Sequence, residues 1–165
     1  MRILGIDPGT VAMGYGLVEE DDDTLTTLDF GVFTASSRVP LSDRLNKLHK
    51  ELLKLVSYHK PDEVAIEEPF VARNARTALA IGRAQAVAML AAADSHIPIF
   101  TYTPTKVKQA IADYGGSSKE QIQQMVQIHL GLPNIPQPDD AADALAIALC
   151  HLRERHIAKL TAGSV

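Results

Sequence analysis

Residues 2–10 read RILGIDPGT. Ile3, Leu4 and Ile6 around Gly5 predict a short buried strand, and Pro8-Gly9 ends it in a turn. Between strand and turn stands one carboxylate, Asp7. A carboxylate costs free energy when buried without a partner. One explanation is local: Asp satisfies backbone donors in an Asx-type turn with Gly9. The other is that the strand holds Asp7 rigidly as part of a site. The rest of the chain bears on which applies.

Met13–Val18, MGYGLV, predicts a second strand whose glycines allow close backbone approach. EEDDD at 19–23 is an acidic turn, and Thr24–Phe33 predicts a third strand. The short connections make these three an antiparallel meander. Between Pro40 and Lys60 the period becomes helical, with Leu41, Leu45, Leu48, Leu52, Leu55 and Val56 on one side; Pro61 stops that helix. EVAIEE at 63–68 predicts a fourth strand, PFVARN a loop, residues 75–95 an Ala-rich helix, and Pro98–Tyr102 a fifth strand. Helices near 104–113 and 118–130 follow, parted by YGGS. The prolines of GLPNIPQP (131–138) bar a continuous helix there, and a last helix runs from near Asp139 to about His156, leaving 157–165 as a flexible tail. Residues 1–156 thus form a single α/β domain. Crossover helices make the later strands parallel to the first, giving a mixed sheet with helices packed on it.

Parallel strands one and four present their C-terminal ends at one sheet edge, where α/β sheets place ligands. Asp7 stands at the first end and the Glu67-Glu68 pair at the other. Strand alternation lets one of those glutamates face each way. In PDDAADALAIALCHL, Asp140 and Asp143 are three apart and share a helix face, while Asp139 is suited to cap the helix. Each acid has an ordinary explanation by itself: a turn, an exposed strand end, a helix cap. Converged, four acids repel one another unless a cation joins them. Magnesium takes oxygen ligands, and two such ions roughly 4 Å apart clamp both reacting oxygens of a phosphodiester.

Net charge is −4, which argues against a nucleic-acid partner until its distribution is read. Residues 1–69 carry 7 basic and 13 acidic side chains, whereas residues 70–119 carry 6 basic and only 2 acidic. A locally basic middle can hold phosphates within an acidic protein, though a solvated surface gives the same count. The lone Cys150 forms no internal disulfide, no stretch reads as a signal peptide, and no apolar run has membrane-spanning length. The expected location is cytoplasmic.

LGIDPGT…GYG, AIEEPFVARN and PQPDDAADALAIAL, in this order and spacing, resemble the successive signatures of the RuvC family of Holliday-junction resolvases. The segment VKQAIADYGGSSKEQIQQMV at 107–126 is similar to the family as well, so the resemblance spans about Arg2 to His151. It implies an RNase H-like fold, a five-stranded mixed sheet flanked by helices on both faces. It also implies a homodimeric, Mg²⁺-dependent endonuclease, with two ions per site and Mn²⁺ able to substitute. Such an enzyme nicks two strands of like polarity at a four-way DNA junction, in recombination and repair, alongside a branch-migration motor complex. The implied metal-binding and catalytic acids are Asp7, Glu67, Asp140 and Asp143, with Glu68 and Asp139 as alternatives at their positions. The implied DNA contacts are Phe70 at the unstacked crossover, then Arg73, Asn74 and Arg76 leading into a helix N-terminus, and Lys106, Lys108 and Lys119 at phosphates.

Three rivals differ in class. GIDPGT also resembles the first phosphate loop of sugar kinases and actin, but those proteins duplicate the domain and this chain is too short. A related nuclease acting on RNA would not need the Phe70 loop or the late DAADAL helix, and a non-catalytic junction-binding module would not need four acids. Paired nicks need two active sites, and a two-fold junction is matched by an isologous dimer. The interface expected is the helix at 75–95, through Leu79, Gly82, Ala86, Met89 and Ala93.

Overall fold

The computed structural model describes residues 1–22, 24–68 and 75–162. In chain order the elements are β1 (Arg2–Asp7), β2 (Ala12–Asp21), β3 (Thr24–Thr34), α1 (Leu41–His59), β4 (Glu63–Glu67), α2 (Ala75–Asp94), β5 (Ile99–Tyr102), α3 (Pro104–Ala112), α4 (Lys119–His129) and α5 (Asp139–Ala162). The five strands form one sheet in the order β3-β2-β1-β4-β5. β1, β2 and β3 pair antiparallel, while β1 with β4 and β4 with β5 pair parallel, so the expected mixed sheet is present.

Alternation along the central strands divides the core. Leu4, Ile6, Val64 and Ile66 face α1 and α2, burying Leu48, Leu52, Val87 and Ala91. Ile3 and Ala65 face the opposite way, onto Val107 of α3, Ile122 and Val126 of α4, and Leu145–Leu149 of α5. α1 ends as its sequence requires: Lys60 takes a left-handed conformation (φ 50°) and its N–H donates to the Val56 carbonyl, 2.8 Å away, before Pro61.

α5 lies directly on the sheet because two strand residues lack side chains. A Cβ on Gly5 would fall 2.0 Å from the Ala144 carbonyl oxygen, and one on Gly14 would fall 1.9 Å from that of Asp140. No real atom pair tolerates that separation, so only glycine admits the helix at this depth. Asp7 pairs with Gly14 across the β1–β2 ladder, so the first turn of α5 descends beside Asp7.

Two boundaries differ from the sequence reading. α5 runs through Ala162 instead of fraying after His156. No Gly or Pro interrupts residues 157–162, and the Thr161 hydroxyl donates to the Ile157 and Ala158 carbonyls. Asp139 is the first helical residue and not its cap, because the Pro138 carbonyl accepts from the Ala141 and Ala142 N–H groups.

Candidate active site

β1 carries Ile3, Gly5 and Asp7 toward the α5 face, and β4 carries Glu63, Ala65 and Glu67 toward the same face. The parallel register pairs Gly5 with Ala65 and Ile6 with Ile66, so the next residues along, Asp7 and Glu67, end adjacent strands on one side. Alternation sends Glu68 the other way, where its carboxylate accepts from the Thr101 hydroxyl at 2.6 Å. That separates the two glutamates: Glu67 lines the cleft with Asp143, and Glu68 is engaged by β5.

α5 brings the other two acids. Asp140 and Asp143 share its inward face, and one carboxylate oxygen from each of Asp7, Asp140 and Asp143 lies within 4.8 Å of the others. Glu67 falls outside that trio and flanks it on the Asp143 side, in a cleft of about 210 Å³ shared with Lys108 and Lys119.

The acids show the strain of confinement. Burial first, then the charges of Glu67, Asp143 and Asp140, push the Asp7 pKa up to about 8. Burial and then Asp143 push Glu67 up to about 7. Burial raises Asp143 as well, against the Lys119 ammonium that donates to it. Lys119 opens α4, behind a capping box in which Ser118 and Gln121 exchange side-chain and backbone bonds. From there its Nζ lies 2.9 Å from Asp143 and 3.6 Å from Asp139. Behind the cluster, Arg44 of α1 donates to the Thr10 hydroxyl and carbonyl at 3.4 and 3.5 Å, tying down the turn after Asp7.

The expected basic residues divide. Lys108 and Lys119 stand with the acids. Lys106 does not: it pairs with Glu154 of α5 at 2.8 Å, on another side of α3. Arg76 lies exposed in the first turn of α2. Phe70, Arg73 and Asn74 lie outside the described residues. Reading the sequence alone missed the Ser118–Gln121 box and Arg44; the first has a signature, S-x-x-Q, and the second is one basic residue among several on an amphipathic helix.

A set of hard oxygen donors, mutually repulsive and half-buried, fits a divalent cation such as Mg²⁺ or Mn²⁺. The arrangement can therefore hold metal, with Lys108 and Lys119 lining the same cleft.

Comparison with known proteins agrees with this geometry. Residues 3–151 match the family described as crossover junction endodeoxyribonuclease RuvC. A relative of that description from Dehalococcoides mccartyi is 50% identical over 155 residues, covering 94% of this chain and 93% of its own. The structure of T. thermophilus RuvC in complex with Holliday junction substrate superposes with a TM-score of 0.90 at 34% identity, over 96% of each chain. The yeast mitochondrial Holliday junction resolvase Ydc2 shares the fold, at 15% identity and a TM-score of 0.62 over 93% of this chain and 80% of its own. The five-stranded mixed sheet with helices on both faces is thus the RNase H-like fold of these resolvases, and the chain belongs to the RuvC family of crossover junction endodeoxyribonucleases.

Proposed function

We propose that this chain is a structure-specific endonuclease that resolves four-way DNA junctions by metal-dependent phosphodiester hydrolysis, in recombination and repair. The observation that carries this is the Asp7–Asp140–Asp143 cluster with Glu67 beside it, at the ends of two parallel strands and one helix. These four carboxylates would hold Mg²⁺, two ions per site, with Mn²⁺ able to replace it. A divalent cation held by these residues would supply Lewis acidity toward the phosphate and would lower the pKa of water at the site.

The protein's own groups do the rest. The two strands and α5 fix the acids before metal or DNA arrives, so little reorganisation is left for the reaction. Lys108 and Lys119 draw the scissile phosphate into the cleft. Arg76, with Phe70, Arg73 and Asn74 before it in the sequence, is proposed to hold the crossover.

Paired nicks require two such sites, and we assign the dimer contact to α2. Its inward face is Ala84, Val87, Ala88, Ala91 and Ala92. Its outward face leaves Leu79 55% and Leu90 58% exposed, with Ala86 and Ala93 exposed beside them and open space over Gly82. Met89, expected in that stripe, packs toward the core, and Leu90 takes its place. A stable dimer would bury about 1,600 Å² or more in total. The branch-migration motor is the remaining expected partner, and the cytoplasm the expected location. No helix among the described residues is long and apolar enough to cross a membrane.

The deciding experiment sets a synthetic four-way junction against linear duplex and single-stranded RNA, with Mg²⁺ and with chelator. Metal-dependent, symmetric nicking of the junction alone is expected. Cleavage of RNA in preference to the junction contradicts the reading.

A further inference from the structure

The loop joining α3 to α4 carries Tyr114, which is 69% exposed. A tyrosine this open contributes little to the core, yet the loop holds it in place. The chain turns through Asp113 (φ 55°), and both the N–H and the hydroxyl of Ser117 donate to the Tyr114 carbonyl, at 3.2 and 2.8 Å. Asp113 is itself tied to Arg153 of α5 at 2.6 Å.

The ring is seated on glycine. A Cβ at Gly116 would stand 2.7 Å from each of Tyr114 Cε1, Cζ and Oη. A point equidistant from these three atoms lies out of the ring plane and beyond its Cε1–Oη edge, so Gly116 backs the hydroxyl corner of the ring. The hydroxyl end of the ring therefore lies near bare backbone, and 69% of the residue is left to solvent. Gly115 presses on α3: a Cβ there would meet Thr105 Cγ2 at 2.9 Å.

These contacts locate the ring. Thr105 follows Pro104, which lines the acid cleft, and on the other side of the loop Lys119 reaches Asp143. Gly115 and the Lys119 end of the loop are thus fixed beside the cluster, and Lys108 and Lys119 line its cleft.

We infer that Tyr114 is a nucleobase-stacking residue, taking on its exposed ring an unstacked base of the strand that enters the acid cleft. This rests on the reading of the chain as a junction nuclease. An aromatic face beside phosphate-binding cations is the combination that holds single-stranded nucleic acid. Strand exchange at a four-way junction interrupts base stacking, so such bases are available there. The backbone that carries the ring is already fixed, so binding a base has only the side chain left to order. The two glycines keep the surrounding surface low enough for a base to reach it.

The test uses the full chain with a four-way junction carrying 5-iododeoxyuridine near the crossover, in chelator so that no cleavage occurs. Long-wavelength irradiation should cross-link the parent protein through the peptide that contains Tyr114. Tyr114→Phe should keep both cross-link and affinity. Tyr114→Leu and Tyr114→Ala should lose the cross-link and about tenfold in junction affinity, with thermal unfolding unchanged. Tyr114→Ala binding within about twofold of the parent, with no cross-link at position 114 in the parent, overturns the inference. A parent that binds junction no better than duplex overturns the functional reading and this inference with it, whereas a parent that prefers the junction separates the two.

Discussion

The Lys119 ammonium stands 2.9 Å from an Asp143 carboxylate oxygen, inside the cluster proposed to hold metal. Burial works against its charge, but its bonds to Asp143 and Asp139 outweigh that and raise its pKa. Lys119 thus supplies a positive charge where a metal ion would otherwise supply it. Lys119→Met should bind Mn²⁺ more tightly in the absence of DNA, by about threefold to tenfold for a half-exposed pair, as titration calorimetry would read. The same variant should bind junction more weakly and with a shallower salt dependence, because a phosphate contact is gone. Unchanged metal affinity would contradict this role.

The raised acids make a stability prediction. Asp7 has a folded pKa of about 8 against an ordinary value of 3.8. Between those values the folded state binds more protons than the unfolded one, so this group lowers stability progressively as pH rises from about 4 to 8. Asp7→Asn removes the effect. In chelator it should be more stable than the parent at pH 8, by roughly 1–2 kcal/mol or several degrees in Tm, and nearly equal to it at pH 4. Thermal melts across that range decide the matter.

Glu67→Gln and Glu68→Gln should separate cleanly. Glu67 shares the cleft with Asp143, and Glu68 is bonded to Thr101. Loss of one charged ligand should cut junction cleavage about a hundredfold or more, whereas Glu68→Gln should stay within a few-fold. Equal losses would place both glutamates in the site.

Gly14→Ala tests how the site is assembled. Its methyl would collide with the Asp140 carbonyl and lift the first turn of α5 away from Asp7. Overpacking of this kind costs about 1–3 kcal/mol. The protein should still fold at low temperature, yet cleave far more slowly than its stability loss explains. A variant with weakened stability and normal activity would show that the α5 position does not matter.

Ala86→Glu addresses the dimer. Ala86 is exposed on the outward face of α2, so a glutamate there should leave the subunit fold intact and remove only the thermal stability that dimerisation adds. Sedimentation should show a dimer for the parent and a monomer for the variant at micromolar concentration. A monomeric parent that makes only single nicks would refute the α2 assignment.

Much of this was legible in the chain. Strand directions follow from connection lengths, and the acids at element ends pointed to one edge. What the sequence withheld was register and facing. Glu67 and Glu68 differ only by which side of β4 each takes, and that is set by the pairing of Gly5 with Ala65. The placement of Lys106 was readable in principle: it stands two residues from Lys108, and residues so spaced do not share a helix face. Leu90 replaced Met89 on the outer stripe because a 3.6-residue period drifts against alternating steps of three and four. The reach of Lys119 to Asp143 depends on how α4 docks against α5, which no local pattern encodes.

The most direct measurement compares the parent with Asp7→Asn on a four-way junction, recording cleavage in Mg²⁺ and binding in chelator. The parent should nick two strands of like polarity. Asp7→Asn should bind the junction at least as well, having lost a negative charge facing phosphate, and should cut neither strand. Cleavage by Asp7→Asn at near the parent rate would contradict the assignment of the acid cluster as the catalytic centre.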